Sequence, residues 1–317
     1  MKIGLIGRAD LSGLGYMTRD FCDHLPVEKA LIVSREGRGP NSLDQILARH
    51  RMMTSNTFRQ EDIEFLFDGI DVLVGFETFY HPDVIPEAVA RGIKVAMFPM
   101  WECSPPEVCA ADYLFCVTDR ERARFPYRAD TIRVDWPMEP PPGWKQQARQ
   151  RPLRVVACAG SGGLHDRNNV ESLKALRQAA DAGRADGWTF DLREFSTDRS
   201  RWAQYANADL FVHLQAFHGL SLPLLEAAAC GVPCVVLDIP GFREEYTSSC
   251  RVGVGAMFDR EMMGERVTFA RPDPSGLIRT INRLAYTVQI PPAPRPGTWA
   301  EFVEIWTKHV GPLESAQ

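Results

Sequence analysis

Short apolar runs alternate with helical patterns along the whole of this 317-residue chain, and that alternation narrows its folds more than any other feature. A short apolar run bounded by turn formers suits a strand buried on both faces, and such strands build parallel sheets covered by helices. The predicted strands of the first half are 2–7, 30–34, 72–76, 94–97, 113–117 and 131–134. Those of the second half are 154–158, 189–193, 210–214 and 233–237, with weaker ones near Val254 and Val267. Helical patterns cover 16–25, 86–91, 120–125, 170–182, 223–230 and 275–286. The expectation is an α/β chain built from two Rossmann-like halves.

A chain of this length suits two domains rather than one. Two proline clusters mark the borders: Pro137 with Pro140-Pro141-Pro142, and Pro291-Pro292-Ala293-Pro294-Arg295-Pro296. Both are stiff and lack the donors of a central strand. The expected organisation is a first domain at 1–136, a linker at 137–152, a second domain at 153–290, and a return segment with a terminal helix at 291–317. That helix places Trp299, Phe302, Val303 and Trp306 on one face.

Composition excludes several classes. The net charge of −5 provides no global basic field for nucleic acid, although a local groove stays open. Residues 1–7 read as a strand rather than a signal peptide, and no apolar run reaches the ~20 residues that span a bilayer. The eight cysteines are scattered, without C-x-x-C or zinc spacing, which suits small buried hydrophobes in a reducing compartment. The expectation is a cytoplasmic protein without membrane insertion and without an obligate protein partner. No Asp-x-Asp triplet is present to hold a cation against a diphosphate, so no metal ligands are assigned.

The segment from His218 to Val236 says most about function. His218-Gly219-Leu220-Ser221-Leu222 makes a Gly-containing turn, Pro223 suits a first helical turn, and Gly231-Val232-Pro233 stops the helix before the next strand. N–H groups at such a helix start can bind a diphosphate, and Glu226, one turn further in, can accept hydrogen bonds from a ribose. This segment resembles the signature of GT-B glycosyltransferases of the large retaining family, in which two glutamates flank seven residues in a pattern like E-G-F-G-L-P-x-x-E-A-x-A-x-G-x-P. Glu226 matches the second glutamate, which in the family binds the nucleotide ribose. His218 stands where the first glutamate, near the donor sugar, is found. Ser221 and Leu222 fall at donor-binding positions.

The resemblance extends to two turns. Gly7-Arg8-Ala9-Asp10-Leu11-Ser12-Gly13-Leu14-Gly15 is not a dinucleotide fingerprint, so a nicotinamide cofactor is unsupported, but it resembles the Gly-rich loop that faces the donor diphosphate in GT-B amino-terminal domains. Gly13, Leu14 and Gly15 are the donor candidates there. In the second half, Gly162, Gly163, Arg167, Asn168, Asn169 and Val170 lie where the family has a pattern like G-R-L-x-x-x-K-N-V. Asn168 replaces the lysine and Gly163 the arginine, which leaves Arg167 as the cation for the diphosphate. Asp238-Ile239-Pro240-Gly241-Phe242-Arg243-Glu244 resembles the family's D-x-G-G-x-x-E turn.

Acceptor candidates follow the first-half strands: Glu77, Tyr80 and His81 after the third, Trp101 and Glu102 after the fourth. His81 precedes Pro82, so a role in starting a helix is its plainer alternative. Arg35, Arg38, Arg49, Arg51 and Arg59, with Arg120, Arg122, Arg124 and Arg128, offer a phosphate-tracking surface; ordinary solvated surface, diluted by Glu36, Asp44 and Glu121, is the alternative. Arg122 and Arg124 are carried forward as acceptor residues, with Tyr80, His81 and Trp101 beside them.

The resemblance implies the GT-B fold, two Rossmann-like domains facing a cleft, with a C-terminal helix that crosses back to the first domain; the alternative is a helix packed on its own domain. It implies transfer of a sugar from a nucleotide diphosphate sugar, a UDP-sugar, to a hydroxyl, with retention by front-side attack and no further cofactor. Arg167, His218, Glu77 and Glu102 are the catalytic candidates, Glu77, His81 or Glu102 serving as base in an inverting variant. The chain also resembles phage-type enzymes that glycosylate hydroxymethylated pyrimidines in DNA. The alternatives are a glycan or small-molecule acceptor, a nucleotide-binding module without transferase activity, and an NAD-dependent oxidoreductase.

Overall fold

The computed structural model describes residues 1–10, 12–33, 51–55, 59–101, 104–125, 131–146, 149, 151–159, 167–193, 201–262 and 265–313. The chain divides into two compact units, one of Met1–Trp136 with Gly297–Gln317 and one of Pro137–Pro296.

The first unit is a parallel sheet of β1 (Ile3–Gly7), β2 (Val27–Val33), β3 (Arg51–Ser55), β4 (Val72–Phe76), β5 (Lys94–Phe98), β6 (Tyr113–Cys116) and β7 (Thr131–Arg133), in the order β3-β2-β1-β4-β5-β6-β7. Its helices are α1 (Gly13–His24), α2 (Gln60–Phe67), α3 (Val84–Ala90) and α4 (Asp119–Arg124). β1 and β4 are buried throughout, as central strands with helices on both faces must be. β2 begins earlier than predicted because its buried Lys29 interrupts the apolar run; the ammonium is neutralised by Asp68, 2.9 Å away, and also donates to Phe65 O at 3.1 Å. β3 escaped prediction because it is an edge strand, which needs no continuous apolar run.

The second unit has a parallel sheet of β8 (Leu153–Cys158), β9 (Trp188–Arg193), β10 (Leu210–His213), β11 (Cys234–Leu237) and β12 (Arg251–Val252), in the order β12-β11-β10-β8-β9. Around it lie α5 (Val170–Ala179), α6 (Ala203–Ala206), α7 (Leu222–Ala229), α8 (Phe242–Glu245) and α9 (Pro274–Tyr286). The weak strands expected near Val254 and Val267 are one antiparallel ribbon, β13 (Val254–Met262) with β14 (Glu265–Pro272). Its base is tied to the sheet, since Ala270 N donates to Ala216 O at 2.8 Å.

The last helix, α10 (Trp299–His309), belongs to the first unit, as the crossover expectation required. Thr298 and Glu301 form a capping box at its start. Phe302 packs against Phe21, Phe98 and Phe115, and Trp306 against Phe21 and Phe115, with ring centroids 5.5–6.2 Å apart. Each such buried ring contributes roughly 1.5–3 kcal/mol of burial, enough to hold an eleven-residue helix that would be marginal alone. Among the described residues no helix is long and apolar enough to cross a membrane.

Candidate functional site

Each sheet reverses its strand order once, between β1 and β4 in the first unit and between β8 and β10 in the second. Connections leave to opposite sides at such a switch point, opening a crevice at the carboxyl ends where ligands bind. Among the described candidates, Gly13, Leu14, Gly15, Glu77, Tyr80 and His81 follow the strands at the first switch point. Arg167, His218, Ser221, Leu222 and Glu226 follow those at the second, whereas Trp101 follows β5 and Arg122 and Arg124 follow β6.

In the second unit, β8 leads through residues outside the described set, including Gly162 and Gly163, to Arg167 at the start of α5. Asn169 takes the left-handed conformation, φ 48°, which asparagine tolerates better than most side chains. Its amide donates to Leu214 O and Ala270 O, both at 2.8 Å, tying the helix start to the end of β10 and to the ribbon. Asn168, in place of the family's lysine, donates to Ala159 O at 3.0 Å and closes the turn. Arg167 accepts at its carbonyl from Ala216 N, 2.7 Å away, and its guanidinium lies 5.2 Å from the Phe217 ring centroid.

β10 delivers Gln215, Phe217, His218 and Ser221 to the same crevice. Ser221 is the N-cap of α7, Leu222 its first residue and Pro223 its second. His218 is half-buried, its Nε2 3.3 Å from Glu245 Oε1 and its ring edge-on to Phe242 at 4.9 Å. The Asp238–Gly241 turn wraps it closely: Gly241 has φ 90°, and a Cβ there would lie 2.4 Å from His218 Cγ. Asp238 accepts from Arg243 Nε at 3.0 Å and Arg251 Nη1 at 2.9 Å, which fixes this turn.

Glu226 does not sit on a solvated face. It is 4% exposed, with Arg201 Nε donating to Oε1 at 2.7 Å and the Tyr205 hydroxyl 2.9 Å from Oε2. Arg201 is 2% exposed and reaches the Met138 sulfur at 3.3 Å. Burial and the Glu226 charge raise the Tyr205 phenol well above its usual range, so it stays a donor. Arg201 and Tyr205 went unnoticed in the sequence; no motif marks them, and only the rarity of a buried arginine betrays the pairing once the fold is known.

In the first unit, Gly13, Leu14 and Gly15 form the first turn of α1, capped by Ser12, whose Oγ accepts from Gly15 N at 3.4 Å. Gly15 admits no side chain, because a Cβ would lie 1.8 Å from Asp10 O. Asp10 accepts from Ser12 N at 2.9 Å and from Ser12 Oγ, and pairs with Arg8. Burial raises the Asp10 carboxyl, but the Ser12 hydrogen bonds and the Arg8 charge outweigh it and hold it below the ordinary range. Arg8, a buried cation in this turn, is a further residue that sequence reasoning passed over.

After β4, Glu77 and Tyr80 both adopt left-handed backbones, φ 65° and 62°. Ser104 fixes this loop by donating to Glu77 O at 2.6 Å while accepting from Met100 N at 2.7 Å. Both side chains are half-buried. His81 Nδ1 accepts from Asp83 N at 3.3 Å and His81 O from Val84 N at 3.4 Å, the helix-starting role. Trp101, an acceptor candidate, is 2% exposed with Arg120 3.5 Å over its ring, so that face is not open to an acceptor base. Glu102 lies outside the described residues, as do Arg35, Arg38, Arg49 and Arg128, and the side chain of Arg51 is not described. On α4, Arg120 and Arg122 are exposed and Arg124 is half-buried, while Glu121 is fully buried in a capping box with Thr118 rather than diluting the surface. Arg59 pairs with Glu61 at 3.0 Å. No group of three or more His, Cys, Asp or Glu side chains comes together among the described residues.

Residues 144–285 match the family model of glycosyl transferases group 1. Comparison with curated proteins found no match. Among solved structures the chain is similar to a lipopolysaccharide outer core galactosyltransferase, at 15% identity and a TM-score of 0.57 over 90% of each chain. It is similar to a sucrose-phosphate synthase from Thermosynechococcus elongatus, at 12% identity and 0.55 over 90% of this chain and 89% of that one. An alpha-glucosyltransferase in complex with UDP-glucose and DNA containing an abasic site aligns at 12% identity and 0.51, over 76% of this chain and 81% of that one. The greater part of the second unit is thus a glycosyl transferases group 1 domain, in a chain with the fold of GT-B glycosyltransferases.

Proposed function

We propose that this chain transfers a sugar from a UDP-sugar to an acceptor hydroxyl. The observation that carries the reading is the convergence of Arg167, the starts of α5 and α7, and Glu226 around one switch point of the second unit. In this reading the helix starts and Arg167 take the diphosphate, and Glu226, braced by Arg201 and Tyr205, takes the ribose hydroxyls. His218, clasped by Glu245 and the Gly241 turn, lies beside the sugar.

Catalysis then consists of positioning and of stabilising the charge that grows on the leaving phosphate. The acceptor oxygen attacks on the face from which the diphosphate departs. As the new glycosidic bond forms and the sugar–phosphate bond breaks, a departing phosphate oxygen takes the acceptor proton. Configuration is retained without a protein nucleophile or a divalent ion. An inverting course instead assigns the base to Glu77 or His81.

For the acceptor, the reading is a hydroxymethylated pyrimidine in DNA. Its support is the exposed Arg120 and Arg122 on α4, and the likeness to the alpha-glucosyltransferase solved with UDP-glucose and DNA. Tyr80, half-buried, is the stacking candidate that remains.

The test is a thermal-shift panel of nucleotides and nucleotide sugars, followed by donor hydrolysis and by transfer to hydroxymethylpyrimidine DNA and unmodified DNA. Expected are UDP-sugar binding, slow hydrolysis without acceptor, and transfer to the modified DNA only. Transfer should persist in chelator and weaken with salt and with Arg122→Glu/Arg124→Glu. Binding without hydrolysis or transfer identifies a nucleotide-binding module instead. Transfer to a glycan but not to DNA overturns the acceptor reading alone.

A further inference from the structure

Arg167 does not reach its crevice as a loose surface side chain. Gln215, at the end of β10, is 1% exposed and lies between Arg167 and His213. With its amide turned to satisfy both neighbours, the Gln215 oxygen accepts from Arg167 Nε at 3.3 Å and Nη2 at 3.1 Å, and its nitrogen donates to His213 Nε2 at 3.1 Å. The opposite amide orientation sets NH2 against a guanidinium, two donors face to face. The phenyl face of Phe217, 5.2 Å from the guanidinium carbon, completes the seat.

The orientation of Gln215 depends on which protons His213 carries. A neutral imidazole protonated at Nδ1 presents Nε2 as an acceptor, which draws the amide nitrogen inward and leaves the amide oxygen for Arg167. An imidazolium donates at both nitrogens and would turn the amide around. Burial keeps His213 neutral, lowering its pKa to about 4, with help from the Arg167 charge. The position of a cation at the crevice is therefore set from inside the sheet.

We propose that Gln215 is a positioning residue for Arg167, aligning its guanidinium with the donor diphosphate, and that buried His213 holds Gln215 in the required orientation. The proposal rests on the reading of Arg167 as the diphosphate cation. A guanidinium held along its Nε–Nη2 edge is pre-organised, so phosphate contacts form without first ordering a long side chain. Gln215 touches no substrate; its effect passes entirely through Arg167.

The experiment measures UDP and uridine affinity by calorimetry for the wild type, R167A, Q215L and the double variant. Q215L should lower UDP affinity several-fold, up to roughly tenfold, leave uridine affinity unchanged, and add nothing once Arg167 is gone. Because Q215L alters a buried site, a second pair separates positioning from folding. H213F should lose UDP affinity as Q215L does, and H213Q, whose Oε1 can accept from the amide where Nε2 did, should recover most of it. Equal losses for UDP and uridine, or a Q215L effect that persists in R167A, overturn the positioning role. If R167A weakens UDP and Q215L does not, positioning alone fails. If UDP, GDP, ADP and pyrophosphate all fail to bind the wild type, the nucleotide reading falls and this proposal with it.

Discussion

The neutral state of His213 should make the stability of the second unit fall with acidification by an amount that one substitution removes. The folded protein holds this imidazole at about 4, against 6.5 in the unfolded chain. Between these values the unfolded chain binds the extra proton and the folded chain does not, so stability is complete above the unfolded value and declines as pH drops towards the folded one. The drop from 6.5 to about 4 corresponds to roughly 3 kcal/mol in full, of which about 2 kcal/mol is lost by pH 5. His213→Gln keeps an acceptor for Gln215 but cannot titrate. Urea unfolding of wild type and His213→Gln, followed at pH 7.5 and pH 5, isolates the term, because every other titrating group is common to both chains. The variant should lose about 2 kcal/mol less than the wild type over that interval. Imidazole titration by NMR on the folded protein provides the direct check. Parallel stability curves, or an imidazole that titrates near 6.5, would refute the argument that burial sets the amide orientation.

Arg201→Met leaves the Glu226 carboxylate buried without its cation and should destabilise by about 3–5 kcal/mol in urea unfolding; Arg201→Met with Glu226→Gln should recover much of that, since neither charge is then stranded. Nucleotide affinity should fall in both, measured by calorimetry. Trp306→Ala removes a fully buried ring between α10 and the sheet of the first unit, and about 3–5 kcal/mol of that unit's stability should go with it while UDP affinity holds. Gly15→Ala drives a methyl into the Asp10 carbonyl, so circular dichroism and solubility should show a damaged first unit, whereas Gly69→Ala, with open space around its Cβ, should lose only about 1 kcal/mol from its left-handed backbone.

The residues legible in the sequence were those whose information is local. Buried parallel strands such as Val72–Phe76 and Cys234–Leu237 must be apolar on both faces, and α7 announces itself through Pro223 and the Gly231 stop. α10 was legible for the same reason, its aromatic face repeating at helical spacing. Edge strand β3 was not, and the ribbon of β13 and β14 showed only as weak strands near Val254 and Val267: neither needs a continuous apolar run, and the ribbon carries Asp259, Arg260 and Glu261 in the open. The candidate site divides along the same line. Arg167, His218 and Glu226 could be named because each lies in a short run that resembles a motif of the glycosyltransferase family. Arg201 meets Glu226 across 25 positions of chain, and Gln215 meets Arg167 only once β8 and β10 have paired; His213 acts through Gln215, two positions on.

That division has a physical consequence for how this crevice works. The residues with local signals are those that would meet a ligand, and each is held by neighbours in the fold: Arg167 by Gln215, Glu226 by Arg201 and Tyr205, His218 by Glu245 and the Gly241 turn. A guanidinium or carboxylate on a bare helix start would be ordered only when the ligand arrives, and the ordering would subtract from binding. Here folding does the ordering, through separate contacts at Arg167, Glu226 and His218. If Arg167 is the cation that meets the diphosphate, as proposed, it needs side chains to seat it, and Gln215 with Phe217 provides that seat from the end of β10.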